Sequence, residues 1–144
     1  MRIGVFSALE VAASGLGAER TRMNTIASNL ANARTTHTEA GGPYKKLDPV
    51  FAAVPLGQGT VESGNEAAVS LVKVQRIAQD TRDPQMVYEP GHPDADARGY
   101  VRYPNVNVVE EMVNMITASR AYDAGVTSIE SIKSMAKTAL GIGK

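Results

Sequence analysis

The residues with the strongest claim to chemistry fall in one short run, Gly91-His92-Pro93-Asp94-Ala95-Asp96, where one imidazole and two carboxylates lie within five residues. Such a trio could ligate a metal ion. As a calcium loop it fails: counting from Asp94, the fifth position is Arg98, where an oxygen donor is needed, and the twelfth is Asn105, not a bidentate glutamate. Pro90 and Pro93 favour a rigid turn in which the aspartate side chains bond local backbone N–H groups. No metal site is expected here.

The other candidates are weaker. His37 sits among Arg34, Thr35, Thr36 and Thr38 and reads as a surface side chain. Ser14 precedes Gly15, but no Gly-x-Ser-x-Gly elbow forms around it. Gly15-Leu16-Gly17 runs on into Glu19 and Arg20, so no dinucleotide fingerprint follows, and Gly57-Gln58-Gly59 lacks the Gly-Lys-Ser/Thr ending of a phosphate loop. Glu110 and Glu111 are adjacent and project from a helix at different angles, so they are not a paired acid and base. Without cysteine, disulfides, zinc–thiolate sites and thiol nucleophiles are excluded. Fifteen basic residues balance fifteen acidic ones, which speaks against nucleic acid as a partner. No enzyme and no cofactor are expected.

The elements that must position these residues are written in the prolines. All seven lie between residues 43 and 104 of the 144, leaving both ends free to form helices. The length suits one compact domain, or a small one with extensions. The pattern divides the chain into an N-terminal helix (1–33), a β/loop insert (34–106) and a C-terminal helix (107–144). The fold class expected is mainly α with a small β insert, the two long helices packed as a coiled-coil-like pair.

In the first helix Leu9, Leu16, Met23 and Leu30 recur every seven residues, with Val5, Ala12, Ile26 and Ala33 at the partner position and Glu19 as the one violation. Thr21, Thr25, Ser28 and Asn32 form an uncharged polar stripe, and Ala13 and Gly17 are a small pair that permits close approach. Gly15 and Gly17 each cost about 1 kcal/mol of helix propensity. In the last helix Val108, Met112, Met115, Ser119, Tyr122, Val126, Ile129, Lys133, Ala136 and Leu140 repeat with 4-3 spacing. Val109, Val113 and Ile116 form a second apolar strip, left exposed once the helices pair, and such a strip marks a partner site. Asn107 and Glu110 supply a start signal, and Gly141 and Gly143 an end.

Between the helices, Val50–Val54, Ser70–Ile77, Met86–Glu89 and Gly99–Tyr103 read as strands of one small sheet, with Val72, Val74, Val87, Tyr88 and Val101 as its core. Residues 57–66 are nearly devoid of apolar side chains and read as a loop. Residues 3–9 superficially match a secretory signal, but Glu10 interrupts the run, and nothing approaches the length of a membrane span.

Two stretches of the chain resemble a known family. Ala13-Ser14-Gly15-Leu16, then residues 22–33 (RMNTIASNLANA, with Asn29 and Asn32) and Thr35-Thr36, are similar to the N-terminal motif of bacterial flagellar axial proteins, the rod, hook and hook-associated subunits. Residues 88–96 (YEPGHPDAD), Pro104-Asn105-Val106-Asn107, Glu110 to Ile116 and Ser119-Arg120-Ala121-Tyr122 resemble the proximal-rod members of that family most closely. Pro90, Gly91, His92, Pro93, Asp94, Asp96, Asn105 and Glu111 belong to the matching motif.

The resemblance implies a structural subunit of the basal-body rod, a shaft crossing the periplasm. It implies terminal helices packed around an export channel, with the insert outside. Export would be by the flagellar type III apparatus without a cleaved signal. The partners implied are further copies, other rod proteins and the junction with the membrane ring and export gate. The helix seams, Leu9, Leu16, Met23, Ile26 and Leu30 with Val108, Met112, Met115, Ile116, Tyr122, Val126 and Ile129, are the expected assembly interface. From the residues alone, the rival readings are a soluble helical-hairpin adaptor and a metal-dependent enzyme built on His92, Asp94 and Asp96.

Overall fold

The computed structural model describes residues 4–56 and 69–142; the loop expected over 57–66 lies outside them. Helix α1 runs Val5–Ala31 and helix α2 Val108–Ile142. At 1.5 Å per residue they are about 40 and about 52 Å long. Asn107 caps α2: its Oδ1 accepts from the N–H groups of Val109 (3.0 Å) and Glu110 (3.3 Å). Asn32 closes α1, its Nδ2 donating to the Ser28 carbonyl at 2.9 Å. The α2 helix continues through Gly141, which does not end it; Gly143 lies outside the described residues.

The helices pack antiparallel, Asn29 beside Glu111 at one end and Leu16 against Gly125 further along. The close approach falls at Gly125, where an added Cβ would lie 2.8 Å from Leu16 Cδ2, and not at the Ala13/Gly17 pair, which is exposed and open. Ala18, Ile26 and Ala118 are the buried apolar residues of the helix pair. Leu9, Leu16, Met23 and Leu30 on α1 are half-buried, as are Met115, Tyr122, Val126 and Ile129 on α2. Val108 and Met112, expected in the seam, are exposed instead. The phase of α2 is set by Glu111 and Ala118, which turn inward and leave Met112 beside the second strip.

The four expected strands form two separate two-stranded sheets, not one. Strands β1 (Leu47–Pro55) and β2 (Ser70–Gln79) pair antiparallel from Leu47↔Gln79 to Pro55↔Ser70, with a register shift between Val50 and Phe51. Strands β3 (Gln85–Tyr88) and β4 (Tyr100–Tyr103) pair from Gln85↔Tyr103 to Tyr88↔Tyr100. Pro49 lies inside β1 and Pro55 is its last residue, which a two-stranded ribbon tolerates because every strand is an edge. Ribbons this narrow cover little surface. Of the expected sheet core only Val101 is fully buried, Val74 is half-buried, and Val72, Val87 and Tyr88 are exposed.

Candidate assembly site

Among the described residues four polar or charged ones are buried: Thr25, Asn29, Lys46 and Glu111. Asparagine is a poor helix former, yet Asn29 stands in the last turns of α1 with only 1% of its surface exposed. Its amide is fully used. Nδ2 donates to the Leu47 carbonyl and to Glu111 Oε2, each at 2.9 Å, and Oδ1 accepts from the Leu47 N–H (2.9 Å) and the Tyr44 hydroxyl (3.0 Å). Leu47 has a fixed donor and a fixed acceptor, so the amide can point only one way. Asn29 thereby treats the first residue of β1 as a neighbouring strand would.

Glu111, 2% exposed, carries the network into α2. Its Oε1 lies 2.9 Å from Lys46 Nζ, with Asp48 at 3.8 Å and Glu110 at 4.0 Å from the same ammonium. Burial works against the charge on Lys46, but the bond from Glu111 and the nearby carboxylates outweigh it, and the lysine is held above its ordinary range. An unpaired charge in this position would be strongly unfavourable. The junction therefore fixes three pieces of chain at one point: the end of α1, the segment leading into β1, and the start of α2. Beside it the Asp80 N–H donates to the Lys46 carbonyl at 2.8 Å, and Arg82 binds the Asp80 carboxylate at 2.6 Å, holding it down at about 2.

The polar stripe of α1 belongs to the same junction. Thr25 is buried, and Ser28 Oγ lies 3.3 Å from the Tyr44 hydroxyl, so at Ser28 the stripe meets the insert.

The segment 89–99 is a corner between β3 and β4. The Asp96 carboxylate accepts the N–H groups of Tyr100 (2.9 Å) and Arg98 (2.8 Å), which lower its pKa. Asp94 departs from the expected local bonding, because its Oδ2 accepts the Thr36 hydroxyl at 2.6 Å and ties the corner to the chain leaving α1. His92 Nδ1 accepts the Asp94 N–H at 3.1 Å. Gly99 has φ +83°, and a Cβ there would lie 2.8 Å from Tyr88 Cε2, so only glycine fits without strain. Among the described residues no three His, Asp or Glu side chains converge as a metal site. Asn105 reaches toward Asp80 at 3.5 Å, and Pro104 and Val106 on either side of it are buried. His37 is exposed.

On the outer face of α2, Val109 (70% exposed), Val113 (57%), Ile116 (55%) and Met112 (53%) form an apolar patch over the first turns. Nothing else in the described chain covers it.

Comparison with known proteins matches both ends and the whole. Residues 9–36 match a family described as flagella basal body rod protein, and residues 97–142 match the C-terminal family of flagellar basal body rod FlgEFG proteins. The chain is 42% identical to the flagellar basal-body rod protein FlgC of Borreliella burgdorferi, over 97% of this chain and 98% of the relative. It is 39% identical to FlgC of Escherichia coli O157:H7, over 99% and 100%. Against FlgC of Bacillus subtilis it is 39% identical over 96% and 98%. The chain belongs to the FlgC family of flagellar basal-body rod proteins.

The residues that carry the family resemblance thus fall into three places in the fold. Asn29 and Glu111 sit in the buried junction, Asn32 caps α1, and Pro90 to Asp96 build the corner. Lys46, Tyr44 and Asp80 complete the junction and carry no local sequence signal. Lys45 and Lys46 are indistinguishable there, and only the fold decides which one is covered. Ser14, which forms no nucleophile elbow, accepts the Val72 N–H at 3.1 Å and ties α1 to β2.

Proposed function

We propose that the chain is a structural subunit of the proximal rod, polymerising through its terminal helices into the torque-transmitting shaft around the export channel. The observation that carries this beyond family membership is the uncovered apolar face on α2, Val109 to Ile116. A shaft needs large lateral contacts and rigid subunits, and no catalytic group. The junction of Asn29, Lys46 and Glu111 supplies the rigidity, because it prevents the insert from turning relative to the helix pair. In this reading residues 1–33 and 107–144 form the inner helical layer, and 34–106 the outer insert.

The partners are then further copies of the chain, neighbouring rod proteins and the junction with the membrane ring and export gate. The subunit reaches the rod through the flagellar type III apparatus without a cleaved signal, and the rod crosses the periplasm. No helix among the described residues is long and apolar enough to cross a membrane. The Pro90–Asp96 corner serves as a rigid contact. Substituting Pro90 and Pro93 together is expected to impair rod assembly while the chain is still exported, and normal swimming with normal rod yield would disprove that role. The functional reading is tested by deleting the gene and restoring it. Cells lacking the chain should assemble no rod beyond the membrane ring, and intact rods in those cells would refute it. An adaptor would instead be a stable helical dimer in solution and absent from purified basal bodies.

A further inference from the structure

A cleft of about 350 Å³ runs between α2 and the β1–β2 ribbon, with α1 as its floor; Leu16, Glu19, Phe51, Val72 and Gly125 line it. A second hollow, lined by Arg22, Ile26 and again Phe51, lies next along α1. Taken together, the two hollows follow α1 from Ala12 to Ile26, about 21 Å at 1.5 Å per residue. Glu19, the one break in the heptad of α1, stands in this apolar setting. Its Oε2 is shielded from solvent and accepts no hydrogen bond from the described residues, while the side chain as a whole is 25% exposed; Arg22 Nη1 lies 3.8 Å away. A shielded carboxylate oxygen without a donor is unfavourable.

The uncovered strip on α2 has the matching features. Val109, Val113 and Ile116 are followed on the same face by Arg120, four residues beyond Ile116 and seven beyond Val113. Arg120 is exposed and makes no ion pair or hydrogen bond with the described residues. The strip from Val109 to Arg120 spans about 16 Å, within the combined length of the two hollows.

We infer that the strip of one copy seats in the cleft of a second copy, with Arg120 donating to the Glu19 carboxylate. This rests on the rod reading and names its contact. Strip and cleft lie about 120° apart around α2, counting 3.6 residues per turn. They are therefore different surfaces, and a contact between them is heterologous. Such a contact leaves one strip and one cleft free at its ends and adds further copies, as an open helical array unless its rotation closes a ring, where a self-complementary patch would stop at a dimer.

The chain has no cysteine, so introduced thiols report alone. Val113→Cys and Val72→Cys are placed in the full chain, expressed in cells lacking it, and isolated basal bodies are treated with a short bismaleimide. The double variant should give a ladder of dimers and higher multiples of this chain, and either single variant should give none. Assembled rods with no ladder, a product formed by Val113→Cys alone, or cross-links only to another rod protein would each overturn the inference while leaving the rod reading intact. Absence of the chain from the basal bodies would overturn both. Independently, Glu19→Arg and Arg120→Glu should each diminish the ladder, and the two together should restore it. Unchanged ladders in both single reversals would remove the ion pair.

Discussion

Replacing Glu111 with alanine should cost about 3 kcal/mol of stability. The carboxylate makes two charged contacts at 2.9 Å, to Lys46 Nζ and to Asn29 Nδ2, both in a site almost closed to water. Hydrogen bonds to charged groups contribute about 1.5–3 kcal/mol each, and stranding one member of a buried pair costs about 3–5 kcal/mol. Lys46 would keep Asp48 at 3.8 Å and Glu110 at 4.0 Å, which places the loss at the lower end. Urea unfolding of the purified chain, followed by far-ultraviolet circular dichroism, should therefore show a midpoint lower by about 1–3 M, given about 1–3 kcal/mol per molar urea. Pairing Glu111→Leu with Lys46→Met should recover most of the loss, because both charges leave together. A loss in Glu111→Ala under about 1 kcal/mol, the scale of a surface pair, would refute the reasoning. So would a double variant no better than the single one.

Gly99→Ala must adopt a left-handed backbone and press on Tyr88, so it should cost about 1–3 kcal/mol, read from the same unfolding curves. Gly125→Leu should cost about 1–3 kcal/mol by crowding Leu16, whereas Gly125→Ala should be close to neutral because about 1 kcal/mol of helix propensity offsets the contact. Asp80 is held at about 2, below its ordinary 3.8, so the folded state binds this proton less readily than the unfolded one. Its contribution is complete above about pH 4 and falls away as the pH drops toward about 2. Asp80→Asn should flatten the acid limb of the stability–pH curve in that window. Lys46 is raised, so its contribution is present below 10.5 and is lost as the pH climbs through the folded value; Lys46→Met with Glu111→Leu should remove that alkaline loss.

Both helices were legible in the sequence because proline exclusion and heptad spacing are local signals. Their phase was not. A glutamate at the start of a helix reads as solvated, and nothing local shows that Glu111 turns inward to meet a lysine and an asparagine far away in sequence. That single inward turn is why Met112 and Val108 lie outside the seam. The Val109–Val113–Ile116 strip was visible because removing one seam leaves a second. The strands were located well, but their pairing into two ribbons depends on contacts across the chain, and the expected shared core dissolved with it. Asn29 and Glu111 were marked by resemblance alone, with no physical reason until the junction supplied one. Lys46 carried no mark, since burial of one lysine in an adjacent pair is decided by the fold.

Electron microscopy of isolated basal bodies carrying a labelled copy reads out whether this chain is built into the rod as a structural subunit. The label should lie on the rod near the inner membrane; basal bodies with complete rods and no label on them would contradict it.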